Sequence, residues 1–211
     1  MELQLYVGPL TRAYMPSDAD AQQSEQICRA VCEWRDMLAQ GLQQDNEEEA
    51  YWEEAPDLPF LYTEPTWQGY YALLLTALAC EAGQPLDTAA GWMDRFEQWP
   101  VWQKATQRYD GAYPALLQWA DIRLPMQTEI LVTCPDPSEQ QDITVTAAGP
   151  ALDQLEALVK RVWNTDPSDI GAWYALPAQS DLDACAKRAA AHMHRALSFA
   201  LDKHLPITAE Y

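Results

Sequence analysis

The sequence predicts an α+β protein that is mostly helical and has a small antiparallel β-sheet. Several long stretches repeat apolar residues every three or four positions, as amphipathic helices do. A few short runs instead alternate apolar and polar residues or are rich in β-branched residues, as strands are. The chain has 211 residues, of which 48% are hydrophobic, which is enough to bury a core. We expect a single domain over residues 1–211, with a helical part over about 10–125 and a mixed hairpin and helix part over about 126–211.

Strand patterns occur at the start, in the second half and at the end of the chain. Leu3, Leu5 and Val7 alternate with their neighbours up to a Gly-Pro pair, which predicts an N-terminal strand. Two β-rich runs at 129–133 and 142–146 flank a loop that contains two prolines, which predicts an antiparallel hairpin. Residues 205–211 are expected to form the C-terminal strand.

Two helices are predicted most directly. Residues 21–42 carry an apolar stripe at spacings of three and four. Residues 66–80 are apolar nearly all round, which predicts a central buried helix. Thr63 or Thr66 is expected to cap its start, and Gly83 to end it.

Further helices are predicted over shorter windows, at 86–98, 100–109, 114–120, 149–163 and 180–203. In the first of these, Met93 and Phe96 are expected to face inward. Ser180 and Asp183 have the spacing of a capping box at the start of the last one. Residues 164–179 are predicted to be a loop.

The charge of the chain is strongly negative. Its 32 acidic residues against 13 Lys and Arg give a formal net charge of −19. Such a field repels nucleic-acid phosphates and anionic membrane surfaces, so we expect no direct binding to either. It attracts basic partners and speeds their encounter. The acids are unevenly placed, because the 59 residues from Asp36 to Asp94 hold twelve acids and no Lys, Arg or His.

The densest acidic stretch is the predicted binding site. Residues 45–57 are expected to form an exposed loop, with at most one helical turn, that meets a basic protein. Tyr and Trp are frequent hot-spot residues at protein interfaces, and Tyr51, Trp52 and Tyr62 are the candidates in this acidic region. The predicted partner-binding residues are Asp45, Glu47, Glu48, Glu49, Tyr51, Trp52, Glu53, Glu54 and Asp57. The alternative for Trp52 is that it folds back onto the core.

The sequence carries no motif for a reaction, a metal or a cofactor. Cys28 and Cys32 share a helix face, but no second pair of ligands accompanies them. His192 and His194 are two apart on a predicted helix and so point to different sides, and His204 stands alone. Neither a Gly-rich phosphate loop nor a nucleophile elbow occurs. We therefore predict no catalytic residue, no metal and no cofactor.

The compartment is predicted to be the cytoplasm. Five cysteines in no recognisable framework are typical of reduced thiols. The N-terminal residues lack the basic and apolar regions of a signal peptide. The nine Trp are compatible with a homodimer.

In overall character the chain resembles the immunity proteins of bacterial toxin systems. The stretches that carry the resemblance are LYVGP at 5–9, WQGYY at 67–71, WPVW at 99–102 and LPI at 205–207. The resemblance implies a cytosolic α+β protein that binds and blocks a toxin. It assigns no individual residue to the toxin contact.

Three other functions compete with toxin neutralisation. The same charge would suit a nucleic-acid mimic that inhibits a DNA-binding protein, provided that the acids are spaced like phosphates. A carboxylate pair in a deep pocket would instead indicate an enzyme. A scaffold protein would use the acids only for solubility.

Overall fold

A six-stranded mixed sheet organises the chain. The computed structural model describes residues 2–43, 50–85, 92–100, 102–103, 111–177 and 181–210. The order of strands across the sheet is β2-β1-β6-β3-β5-β4. All neighbours are antiparallel except β3 and β5, which are parallel. The α+β class is therefore confirmed. The strands are β1 (Gln4–Val7), β2 (Leu61–Thr63), β3 (Ile122–Leu124), β4 (Leu131–Pro135), β5 (Asp142–Ala147) and β6 (Ile207–Glu210).

Helices of very different length surround the sheet. Among the helices whose bounds the structure gives, four are long enough to carry the core and two are single turns. They are α1 (Leu10–Ala13), α2 (Ala21–Gln43), α3 (Trp67–Ala82), α4 (Pro114–Leu117), α5 (Ala148–Trp163) and α6 (Leu182–Lys203). Three 3₁₀ segments add to them, at Trp92–Asp94, Phe96–Gln98 and Pro167–Ala175.

The pairing register divides the sheet into two faces, because residues opposite each other in neighbouring strands point to the same side. Val7 pairs with Ile207, which also lies opposite Arg123. This face packs against α3, α5 and α6 in the larger hydrophobic cluster. On the other face, Ile122 pairs with Val145, and both pack against α2. The protein is thus layered, with α2 on one side of the sheet and three long helices on the other.

The predicted central helix is confirmed. Ten of the sixteen residues of α3 are buried, which explains why its sequence is apolar all round. The Thr66 side chain accepts a hydrogen bond from the Gly69 N–H at 3.1 Å and so caps the first turn. Gly83 ends the helix with a φ of 61°, a left-handed conformation that glycine adopts without strain.

The hairpin and the terminal strands are also confirmed, with shifted ends. The hairpin strands β4 and β5 pair antiparallel over Leu131–Pro135 and Asp142–Ala147. The sequence did not predict β2 and β3, each of only three residues. Strand β3 joins the terminal strands to the hairpin in one sheet, and β2 extends that sheet beside β1. The single domain stays a prediction.

The helix predicted over 86–98 is wrong where the structure describes it. Residues 92–98 form two 3₁₀ turns, in which the N–H groups of Arg95 and Gln98 bond three residues back. Met93 packs against the smaller cluster around Trp92. Residues 86–91 and the Phe96 side chain lie outside the described part, as do residues 101 and 104–109 of the next predicted helix. The helix predicted over 114–120 ends at Leu117.

Two predictions near residue 180 are also corrected. The predicted loop contains a 3₁₀ helix at Pro167–Ala175, which Asp166 caps by accepting from the Ser168 N–H. At the start of α6 the cap is Asp181, whose side chain accepts from the Ala184 N–H. Asp183 does not reach back as a capping box requires, because its carboxylate binds Trp163 Nε1 and Lys187. Ser180 lies outside the described residues.

Candidate functional site

The predicted acidic site falls partly outside the described residues. Asp45, Glu47, Glu48 and Glu49 belong to the part that the structure does not describe. Residues 50–57 precede the edge strand β2 and contain no helix, and a turn at 56–57 is closed by the Leu58 N–H, which donates to the Ala55 carbonyl at 3.3 Å. Of the five remaining predicted residues, Trp52 is buried, Glu54 is half-buried, and Tyr51, Glu53 and Asp57 are exposed.

Trp52 belongs to the core. Its side chain is only 1% exposed. It packs edge-on against Trp34 of α2, with ring centroids 6.3 Å apart. Its carbonyl oxygen accepts a hydrogen bond from Arg35 Nη1 at 3.2 Å. Trp52 therefore folds back onto the sheet and α2, the alternative that the sequence left open, and serves as an anchor for the segment.

Glu54 is the second anchor. Its two carboxylate oxygens accept hydrogen bonds from the backbone N–H groups of Leu10 and Thr11, each at 2.9 Å. The oxygen bonded to Leu10 also accepts from Trp52 Nε1 at 2.6 Å. The Leu10 and Thr11 N–H groups are the first of α1, so they have no hydrogen-bond partner inside the helix. Glu54 thus joins residues 52–54 to the start of α1 and is engaged within the fold.

The other three predicted residues face solvent. Tyr51 is 43% exposed, and the Arg35 guanidinium lies 4.8 Å from its ring centroid. Glu53 and Asp57 are exposed. Within the described part of the chain, neither carboxylate belongs to an ion pair. Their charges are therefore open to an incoming cation.

Phe60, which sequence reasoning missed, and Tyr62, which it named as a candidate aromatic residue, lie at the same edge of the sheet. Phe60 and Tyr62 are 42% and 49% exposed, and their ring centroids are 6.0 Å apart. The Arg12 guanidinium lies 3.6 Å from the Phe60 centroid, and Tyr62 packs on the buried Tyr6 ring at 5.0 Å. The sequence signal for this pair is their spacing of two residues, because residues i and i+2 of an extended chain point to the same side.

We call the exposed residues of this segment the acidic aromatic surface. It comprises Tyr51, Glu53, Asp57, Phe60 and Tyr62. Strand β2 stands at one end of the sheet order and pairs with β1 alone, so its outer edge has no strand beside it in the described part. An edge of this kind presents backbone donors and acceptors to another chain. The surface therefore combines negative charge, aromatic area and an unpaired strand edge.

His192 links helix α6 to the edge strand β2 through its ring nitrogen Nδ1. Its Nδ1 lies 2.5 Å from Thr63 Oγ1 and 3.1 Å from the Glu64 backbone nitrogen. A backbone N–H can only donate, so Nδ1 is the acceptor and the ring proton sits on Nε2. Burial, together with the charges of Arg188 and Arg195, lowers the pKa of His192 from 6.5 to about 4. The ring is therefore neutral at physiological pH.

The Thr63–His192 pair does not form a catalytic dyad. A nucleophile must meet its substrate, but Thr63 is only 4% exposed. Its hydroxyl instead ties strand β2 to helix α6. His194 points elsewhere and contacts Glu156 at 3.0 Å. The pair is accounted for as a structural link between the edge strand and the last helix.

No metal centre emerges in the described part of the chain, where no three His, Cys, Asp or Glu side chains cluster suitably for an ion. None of the helices described there is long and apolar enough to cross a membrane. Comparisons with protein-family models, with curated proteins and with solved structures return no match to this chain.

Proposed function

We propose that this chain is an acidic binding protein that neutralises a basic protein partner, and that the partner is a bacterial toxin. The observation that carries the proposal is the acidic aromatic surface, where Tyr51, Phe60 and Tyr62 are each more than 40% exposed and the Glu53 and Asp57 carboxylates form no ion pair within the described residues. Large aromatic residues in a charged surround are typical of interface hot spots. The resemblance to immunity proteins supports a toxin as the partner.

Residues 50–57 contain side chains that hold the segment in place and others that face solvent, and this arrangement suits tight binding. Trp52 and Glu54 fix the backbone on either side of Glu53. A segment already held in place loses less conformational entropy when a partner binds. The exposed carboxylates then face solvent from a defined position.

The mechanism is occlusion of a basic cleft on the partner. Glu53 and Asp57, with the further acids of residues 45–49, attract the cationic surface and speed association. Tyr51, Phe60 and Tyr62 become desolvated in the complex and slow its dissociation. Neutralisation then follows because the partner's active surface is covered.

The test is affinity capture from the host with three baits: the natural chain, the surface variant Glu53→Gln/Asp57→Asn/Tyr62→Ser, and a control. The control is Glu139→Gln/Asp153→Asn, which removes two exposed charges elsewhere. Glu139 lies in the β4–β5 loop, at the opposite end of the sheet. We expect one basic protein to be retained by the natural chain and by the control, weakly by the surface variant, and less at high salt.

The captured protein is then assayed for toxicity with and without the natural chain. Loss of its toxicity on addition of stoichiometric protein would support neutralisation. Equal capture by the surface variant and the control would contradict the proposed surface. A captured protein that binds DNA and is released by DNA competition would favour the nucleic-acid mimic.

A further inference from the structure

A cavity on the face of the sheet that packs against α3 and α6 is lined by the buried cation Arg123. It lies between the sheet and helices α3 and α6, and its volume is about 30 Å³. Most of its lining is aliphatic, with Leu5 from β1, Leu3 just before that strand, and Leu197 from α6. Arg123 and Tyr70 are the polar exceptions.

Among the described residues, Arg123 is a buried cation without an acidic partner. It is only 8% exposed. Its Nη1 donates to the Ala115 carbonyl and to Thr146 Oγ1, both at 3.0 Å, and Nη2 donates to the Gln118 carbonyl at 2.8 Å. These acceptors are neutral. Within the described residues, no Asp or Glu forms an ion pair with it. A buried charge without a counter-charge is strongly unfavourable.

The acid nearest in sequence is already engaged. Asp121 Oδ1 accepts from Trp119 Nε1 at 3.2 Å, and Oδ2 accepts from the Thr144 backbone N–H at 2.7 Å. The Asp121 carboxylate is therefore committed to holding the start of β3 against β5. The positive charge in the cavity stays available to an anion from outside the chain.

Tyr70 offers a second donor on the same cavity wall. Its side chain is 6% exposed, and its buried hydroxyl has no hydrogen-bond partner within the described part of the chain. Burial raises the pKa of Tyr70 to about 12, against the opposing charge of Arg123, so the hydroxyl keeps its proton. Buried hydroxyls are normally satisfied, so this group needs an acceptor.

We propose that this cavity binds one small monovalent anion, a halide or the carboxylate group of a short acid such as formate, between Arg123 and Tyr70. Guanidinium and phenol are both donors and both suit an anion. The small volume excludes larger anions. Half-buried Leu5, Trp119 and Ala209 form the side of the cavity through which the ion enters.

The site is distinct from the acidic aromatic surface. The cavity lies on the face of the sheet that packs against α3 and α6, whereas Tyr62 lies on the other face. A failure of the anion proposal would therefore leave the partner-binding proposal unaffected, and the reverse also holds.

The experiment compares thermal unfolding in sodium bromide, sodium formate and sodium gluconate at equal ionic strength. Gluconate is too large for the cavity and controls for screening of the acidic surface. We expect bromide, formate or both to raise the melting temperature in a saturable manner beyond gluconate. Stabilisation by bromide alone identifies a halide site, and stronger stabilisation by formate identifies a carboxylate site.

Two hydroxyl deletions locate the effect. Tyr70→Phe removes the unsatisfied hydroxyl, is expected to fold, and should weaken the apparent affinity by about tenfold, since a hydrogen bond to an ion is lost. Tyr62→Phe removes an exposed hydroxyl from the other face and should leave the affinity unchanged. If bromide stabilises the protein, anomalous scattering from a bromide-soaked crystal should show a peak between Arg123 and Tyr70. Equal melting temperatures in all three salts would overturn the proposal, as would stabilisation by bromide without a bromide peak in the cavity.

Discussion

Glu53 and Glu54 are neighbours in the chain, but their carboxylates have different tasks. Glu54 accepts hydrogen bonds from Trp52, Leu10 and Thr11, whereas Glu53 is exposed and in no ion pair within the described residues. We expect Glu54→Gln to lower the free energy of unfolding by about 2 kcal/mol, because hydrogen bonds to a charged group are the stronger kind. Glu53→Gln should change it by less than about 0.5 kcal/mol. Urea unfolding of both variants checks this, and equal losses would contradict the anchor role of Glu54.

His192 should make stability depend on pH. Its pKa is about 4 in the folded state against 6.5 ordinarily, so the unfolded chain binds the proton more readily between these values. The contribution of neutral His192 to the free energy of unfolding is therefore fully present above about pH 6.5, and it is lost as the pH falls toward 4. Protonation would also cost the hydrogen bond from the Glu64 N–H.

The comparison variant for this prediction is His192→Asn, whose oxygen can take the place of Nδ1 but does not titrate. Its melting temperature should fall less than that of the natural chain between pH 6.5 and 4. His204→Asn is the control, because His204 is exposed and has the positive φ that Asn tolerates. Identical pH profiles for the natural chain and His192→Asn would contradict the assignment.

Among the elements, α6 shows how a cap can be misread from sequence. Several polar residues near position 180 suit an N-cap, and only the backbone geometry selects Asp181, which accepts from the Ala184 N–H at 2.9 Å. We expect Asp181→Ala to lower the free energy of unfolding by about 1 kcal/mol. The exposed Asp202 in the last turn is the control, and its replacement by Ala should cost little. A negligible effect of Asp181→Ala would show that α6 does not depend on this cap.

Long, strongly patterned elements could be predicted from the sequence. Helices α2, α3, α5 and α6 and the hairpin all carry a clear period over many residues, and each was found. Strands β2 and β3 were missed because three residues carry too little pattern and their stability comes from their neighbours in the sheet. The 3₁₀ segments were missed because they follow from local packing.

The candidate site was predictable only in part, for a similar reason. Composition marked the acidic stretch, but it could not tell which acid is exposed and which caps a helix. The burial of Trp52 depends on Trp34 and Glu54, contacts that no local pattern reveals. Tyr62 could be named from its residue type, but Phe60 became part of the site only when β2 appeared at the edge of the sheet.

For the whole molecule, a net charge of −19 implies self-repulsion in the folded state. Screening should relieve part of it, so we expect the melting temperature to rise as sodium gluconate is added from low to physiological ionic strength. Gluconate is chosen because its size keeps it out of the Arg123 cavity. A melting temperature that falls over this range would show that favourable ion pairs outweigh the repulsion.

The central claim is that the acidic aromatic surface attracts and holds a basic protein. The most direct measurement is the association rate constant of the captured partner with the natural chain, with Glu53→Gln/Asp57→Asn and with the Glu139→Gln/Asp153→Asn control, over a series of ionic strengths. We predict that the surface variant associates about tenfold more slowly than the control at low ionic strength, and that the difference shrinks as salt is added. Equal association rates for the two variants at every ionic strength would contradict the claim.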